Sequence, residues 1–101
     1  MTKKVMHIYR PIGESTIVIE YEKREVEKCP SLAELQELVG GLIELIEVDF
    51  EGNKCDMICN EESKLIGMPF NSSATRLYEN TYGPYDFITG PAIVFEGFKL
   101  P

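Results

Sequence analysis

Ser31 stands three residues before Glu34, the spacing of a capping box, in which a side-chain oxygen accepts a hydrogen bond from a backbone N–H of the first helical turn. Leu32, Leu35, Leu38 and Val39 then recur on one helical face, so the segment predicts a short amphipathic helix. Gly40-Gly41 stops it: one glycine suits the left-handed position after a helix and the second permits a tight reversal. The following run, Leu42-Ile43-Glu44-Leu45-Ile46-Glu47-Val48, is apolar on both faces apart from its two glutamates and reads as a central, covered strand. A capped helix leading directly into a strand points to a mixed fold, of the α+β class.

Other segments fit the same class. Val5–Tyr9 and Thr16–Tyr21 are rich in β-branched and aromatic residues, and Pro11-Ile12-Gly13-Glu14-Ser15 between them supplies the turn formers of a loose hairpin. Glu22–Lys28 alternates in sign and reads as a solvated strand end or loop. Asp49–Lys54 turns the chain into Cys55–Cys59, an antiparallel partner strand. Asn60–Phe70 is rich in turn formers, Asn71–Tyr78 begins a second short helix capped by Asn71 or Ser72, and Glu79–Tyr85 reads as a loop. Asp86–Thr89 and Ala92–Phe95 are strand-like on either side of Gly90-Pro91. The 101 residues suffice for one domain, residues 1–101. The expected architecture is a small, mostly antiparallel sheet of about five to seven strands with two short helices.

Charge and cysteine content narrow the classes of function. Seventeen acidic residues against ten lysines and arginines give a net charge of −7, which disfavours extended nucleic acid, whose binding depends on clustered cations, but leaves room for a local phosphate pocket. No apolar run approaches the roughly 20 residues that span a bilayer, and the first residues do not form a secretory leader, so neither membrane span nor signal peptide is expected. Cys29, Cys55 and Cys59 are odd in number. On one strand Cys55 and Cys59 would lie roughly 13 Å apart at about 3.3 Å per residue, too far to bridge. A small secreted chain would carry paired cysteines, so a reducing cytoplasm is expected. With His7 the only histidine and no Cys-x-x-Cys spacing, no metal centre and no cofactor are expected.

Three blocks, Ser31-Leu32-Ala33-Glu34-Leu35-Gln36-Glu37-Leu38-Val39-Gly40-Gly41-Leu42-Ile43-Glu44, Asn60-Glu61-Glu62-Ser63-Lys64-Leu65-Ile66-Gly67-Met68-Pro69-Phe70-Asn71-Ser72-Ser73-Ala74-Thr75 and Asp86-Phe87-Ile88-Thr89-Gly90-Pro91-Ala92-Ile93-Val94, resemble, in order and spacing, the signature blocks of a family catalogued as domain of unknown function 3846. The resemblance covers roughly residues 5 to 97, and its specificity lies in the three blocks together. Members of that family occur mainly in bacteriophages and bacterial mobile elements. The resemblance therefore implies a cytoplasmic accessory protein of viral or plasmid origin in a bacterial host, and it hands over no catalytic residue.

The residues themselves suggest binding rather than catalysis. His7 lies on a strand with no nucleophile near it in sequence and reads as a packed side chain. Glu44 and Glu47 fall on opposite strand faces and cannot act as a carboxylate pair. In a central strand Glu44 would need a partner, from the donors after Asn60 or from Arg76, and so is expected to be a structural polar anchor. Asn60, Lys64, Asn71, Thr75 and Arg76 gather amide, hydroxyl and cationic donors in one stretch, and a helix opening at Asn71–Ser73 adds free N–H groups suited to an anion. The same groups also serve as caps and turns. Tyr78, Tyr82 and Tyr85, with Phe87, follow at once and suit either stacking on a nucleobase or a subunit interface.

These features lead to the expectation of a non-enzymatic protein that sequesters a small phosphorylated ligand, a cyclic or modified nucleotide signal of host immunity, in a pocket at a homo-oligomer interface. The net charge of −7 counts against fast capture of an anion. An alternative is an acidic interaction module that inhibits a host protein directly, presenting Glu20, Glu22, Glu25, Glu27 and Glu37 as a nucleic-acid mimic. Lys23, Arg24 and Lys28 interrupt that acidic stripe.

Overall fold

Two β-hairpins lie side by side, and the last strand of the chain is inserted between them. The computed structural model describes residues 3–13 and 18–100. Strands β1 (Lys4–Pro11) and β2 (Ile19–Val26) form the first hairpin, β3 (Ile43–Phe50) and β4 (Asn53–Asn60) the second, and β5 (Ala92–Glu96) joins them. The order is β2-β1-β5-β4-β3, with every neighbouring pair antiparallel. Helices α1 (Leu32–Val39) and α2 (Ser72–Tyr82) complete the expected α+β fold, its sheet having five strands. No helix among the described residues is long and apolar enough to cross a membrane.

The central register shows how the core is built. Val94 of β5 stands between His7 of β1 and Met57 of β4, and Ile93 stands between Ile8 and Ile58. Successive strand residues point to opposite faces. Ile93 and Phe95 accordingly pack with Met6, Ile8 and Ile58 under Leu35 and Val39 of α1, while Ala92 and Val94 pack with Met57 and Cys59 under Ala74 of α2. One helix covers each face, so β5 is buried on both sides and is apolar from Ala92 to Phe95.

Local chemistry accounts for the boundaries. Ser31 accepts a hydrogen bond from the Glu34 N–H at 3.2 Å, and Gly40, at φ 83°, closes α1 by donating to Gln36 O at 2.8 Å. Glu51 (φ 50°) and Gly52 (φ 86°) form the two-residue turn between Phe50 and Asn53, whose handedness matches the twist of the paired strands.

Several expectations are corrected. The strand after Gly40-Gly41 is an edge, not the centre: Glu44, Leu45 and Glu47 are exposed on β3, and the central place belongs to the uncharged run in β5. Leu32 is 63% exposed, because the face of α1 turned to the sheet carries Leu35 and Val39, buried, with Leu38 partly buried beside them. Helix α2 continues through Tyr82, taking in much of the expected loop, until Gly83 N–H closes it on Glu79 O at 2.8 Å. Asp86–Ile88 is not a strand, and only Thr89 bridges, to Phe70. The mixed-charge run begins inside β2, at the other sheet edge. Glu14 to Ile17, where the first turn and the start of the second strand were expected, lie outside the described residues.

Candidate functional site

Three of the expected donors are used inside the fold. Asn60, buried, donates to Val39 O at 3.2 Å and accepts from Glu62 N–H at 2.8 Å, tying the end of α1 to the end of β4. Asn71, fully buried, caps α2 by accepting from Ala74 N–H at 3.0 Å and donates to the carbonyls of Tyr9 (3.0 Å) and Gly90 (2.9 Å). Thr75 Oγ1 accepts from Ile88 N–H at 2.8 Å and donates to Ile88 O at 3.4 Å. Buried polar groups must find partners, and these find theirs in the backbone, so Asn71 and Thr75 turn no free donor toward a ligand.

Lys64 is also committed. Its ammonium bonds Asp86 and sits 4.5 Å from the centre of the Phe87 ring. That hydrogen bond, with one from Phe87 N–H, holds the Asp86 carboxyl below its usual range. Lys64 lines a cleft of about 450 Å³ between β3, β4 and the turns, together with Glu44, Cys59, Asn60, Tyr78 and Asp86. Glu61 lines it too, so carboxylates outnumber the single cation and the cleft is poorly suited to phosphate. Burial, reinforced by Glu44, pushes the Cys59 thiol up to about 12 and keeps it protonated, which removes it as a nucleophile. Glu44 itself is exposed on the edge strand. Its close polar neighbour is Cys59, whose thiol donates to its carboxylate at 3.8 Å, so the reason for a buried charge anchor falls away.

Arg76 stands apart from this cleft. Its side chain is exposed on α2 and makes no ion pair among the described residues, in contrast to Arg10 and Arg24. It lines a groove of about 230 Å³ with Tyr9, Ser72, Ser73, Leu77 and Asn80, none of them acidic. Ser72 and Ser73 open α2, and Arg76 follows at the three- and four-residue spacing that shares a helix face. Asn71 satisfies the Ala74 amide, whereas the amides of Ser72 and Ser73 have no backbone acceptor among the described residues and lie at the positive end of the helix. Tyr9 forms the aromatic side of the groove, its ring 5.2 Å from that of Tyr21. Burial, with Tyr21 next in weight, pushes the Tyr9 phenol up to about 12, so it stays neutral.

The expected tyrosine cluster divides. Tyr78 faces the acidic cleft, with its ring 5.0 Å from that of Tyr82. Tyr82 donates its hydroxyl to Glu47 O, and Tyr85 is 83% exposed beyond the helix. None of the three lines the Arg76 groove. Tyr9, which does, reads in sequence as an ordinary strand residue. The signal available was its parity with His7 on the face opposite Met6 and Ile8.

The remaining candidates are internally matched. On β2, Glu22 is bonded by Arg24 (2.8 Å) and Arg10 (3.0 Å), which hold its carboxyl below the usual range. Arg10 also reaches Glu20 at 3.4 Å, and Lys3 pairs with Glu25 at 3.1 Å. His7 is buried between the Tyr21 hydroxyl (2.7 Å) and Glu96 (2.8 Å), against the ring of Phe50. Among the described residues no group of three or more His, Cys, Asp and Glu side chains is placed to hold a metal ion.

A five-stranded antiparallel sheet with one helix on each face, and a small acid-free groove where the second helix begins, defines a compact α+β domain with a polar recess. The chain belongs to the family described as Domain of unknown function (DUF3846), whose family model matches residues 13–98, from just after β1 to just beyond β5. No curated protein and no solved structure matches the chain.

Proposed function

We propose that the protein binds a small phosphorylated ligand in the groove at the start of α2. The observation that carries this reading is the placing of Arg76, with no ion-pair partner among the described residues, beside the open amides of Ser72 and Ser73 in a groove without acidic lining. A phosphoryl group would accept from the guanidinium and the helix amides, and a flat ring would rest against Tyr9. Lys64 belongs to a different cleft, which leaves Arg76 as the cation of the site.

The groove of about 230 Å³ is smaller than the roughly 300–1,000 Å³ of enclosed small-molecule sites, so one copy grips the phosphoryl end and leaves the rest of the ligand uncovered. Sequestration of a cyclic or modified nucleotide would therefore draw on a second copy for closure. A phage- or mobile-element-borne protein that removes a host immune nucleotide is the finer form of this proposal, and it rests on the resemblance of the three sequence blocks. Binding without turnover is supported by the lining, whose one phenol, Tyr9, is kept neutral by burial and so offers no phenolate base or nucleophile. The alternative of an acidic mimic has less support, because Glu20, Glu22 and Glu25 are already paired with Arg10, Arg24 and Lys3.

Calorimetric titration with a panel of mono-, di- and cyclic nucleotides tests the proposal. At least one should bind, and Arg76→Ala should weaken it by tenfold or more, as expected on losing a charged hydrogen bond of about 1.5–3 kcal/mol. Equal affinity in the variant would place the ligand elsewhere.

A further inference from the structure

The two edges of the sheet are finished differently. Edge strand β2 carries Glu20, Glu22, Lys23, Arg24 and Glu25, the dense charge that discourages pairing with another strand. Edge strand β3 is protected along only half its length. Its two-residue turn makes Phe50, Val48, Ile46 and Glu44 the residues that hydrogen-bond to β4, so Asp49, Glu47, Leu45 and Ile43 direct their N–H and C=O groups outward. The end of α2 folds over the first part of this row: Asp49 N–H donates to Thr81 Oγ1 at 2.9 Å, and the Tyr82 hydroxyl donates to Glu47 O. Beyond them, the outward groups of Ile43 and Leu45 and the N–H of Glu47 have no hydrogen-bond partner among the described residues. The Leu45 side chain is 51% exposed at the middle of that open stretch, and Leu42 is 54% exposed beside it.

We infer that the open half of β3 pairs antiparallel with β3 of a second copy of this chain, about a two-fold axis at Leu45. Self-pairing is restricted by the sequence of the strand. An axis at Glu44 or at Glu47 sets identical carboxylates opposite each other, which is destabilising. An axis at Ile46 brings Ile43 of one copy opposite Asp49 of the other, whose N–H is already held by Thr81. With the axis at Leu45, Leu45 faces Leu45, Glu44 faces Ile46 and Glu47 faces Ile43, so no like charges stand directly opposite each other despite a net charge of −7 on each chain. About four backbone hydrogen bonds form, from the two Leu45 and the two Glu47 N–H groups, and Tyr82 stops the pairing at each end.

This pairing makes one continuous ten-stranded sheet from two five-stranded ones. Glu44 and Ile46 line the cleft of about 450 Å³, so the two clefts meet across the seam and each is completed by the other copy. The inference does not depend on the phosphoryl-binding reading, since Arg76, Ser72 and Ser73 lie in a different groove.

Native mass spectrometry and amide hydrogen exchange on the whole protein test it. The wild type should give a species of twice 11.5 kDa, and the Leu45 and Glu47 amides should gain protection as concentration rises while Asp49 does not change. Leu45→Pro removes one outward N–H and leaves the β4 ladder intact, and Leu45→Lys sets two ammonium groups face to face. Both variants should be monomeric, with the far-UV circular dichroism of the wild type as the check on folding. A wild type that stays monomeric at all concentrations, or a dimer that keeps its mass in Leu45→Lys with the amide of position 45 unprotected, overturns the inference. Arg76→Ala should remain dimeric, which separates this result from failure of the ligand proposal.

Discussion

The Asn71 carboxamide donates to the Tyr9 carbonyl at 3.0 Å across 62 positions of sequence, and this contact sets the start of α2 against β1. The groove exists because of it: Tyr9 supplies one wall, while the Ser72 and Ser73 amides and Arg76 follow Asn71 on the helix. Asn71→Ala removes the helix cap and leaves the Tyr9 and Gly90 carbonyls each short of a donor. A loss of about 2–4 kcal/mol is expected from a cap plus buried unpaired groups. Urea denaturation checks it, and a loss below about 0.5 kcal/mol would show that the contact is not needed to seat the helix.

Arg76 should behave in the opposite way. It is exposed and has no ion-pair partner among the described residues, so Arg76→Ala is expected to change stability by less than about 0.5 kcal/mol while removing ligand affinity. Arg76→Lys keeps the charge but loses the planar fork, and should recover only part of the binding. Thermal unfolding beside calorimetric titration separates the two effects.

The three thiols should differ in reactivity. Cys29 is partly exposed, whereas Cys55 and Cys59 are buried and burial pushes both thiols up. Alkylation at pH 8 followed by peptide mapping should modify Cys29 first, with Cys59 reacting only after denaturation. Comparable rates at all three sites would contradict the placing of Cys59 in the core.

Alkaline stability follows from the same thiol. The folded value for Cys59 of about 12 lies above the unfolded value of about 8.5, so its contribution is complete below the unfolded value. It declines as pH rises from there toward the folded value. Cys59→Ala should therefore flatten the fall in stability above about pH 8.5, measured as the denaturation midpoint against pH.

Asp86 titrates in the other direction. Its folded value is lowered by Lys64, so its contribution is present above the unfolded carboxylate value of about 3.9 and is lost as pH falls through the lower folded value. Because Lys64 and Asp86 are both largely exposed, the effect should stay below about 1 kcal/mol and shrink with salt. Asp86→Asn should remove that part of the acid limb.

Helix α1 was legible because its signals are local: Ser31, Glu34 and Gly40 act within a few residues of one another. The places of β3 and β5 were not, because strand order depends on pairing between distant segments. The telling difference was small: two glutamates interrupt β3, whereas Ala92–Phe95 carries no charge. At the site, Asn60, Asn71 and Thr75 were expected to face a ligand and instead bond the backbone, because composition cannot show which way a donor points. Arg76 was legible as an exposed cation beside a helix start. Tyr9 was not, because it joins the groove only through the long-range contact with Asn71.

The most direct measurement is a titration of the ¹⁵N-labelled protein with the tightest-binding nucleotide of the panel, followed amide by amide. The Ser72 and Ser73 amides and the Arg76 guanidinium should shift first and saturate together, and in Arg76→Ala the amide shifts should need at least tenfold more ligand. Shifts confined to the cleft around Lys64 and Asp86, or none for any nucleotide, would contradict the proposed site.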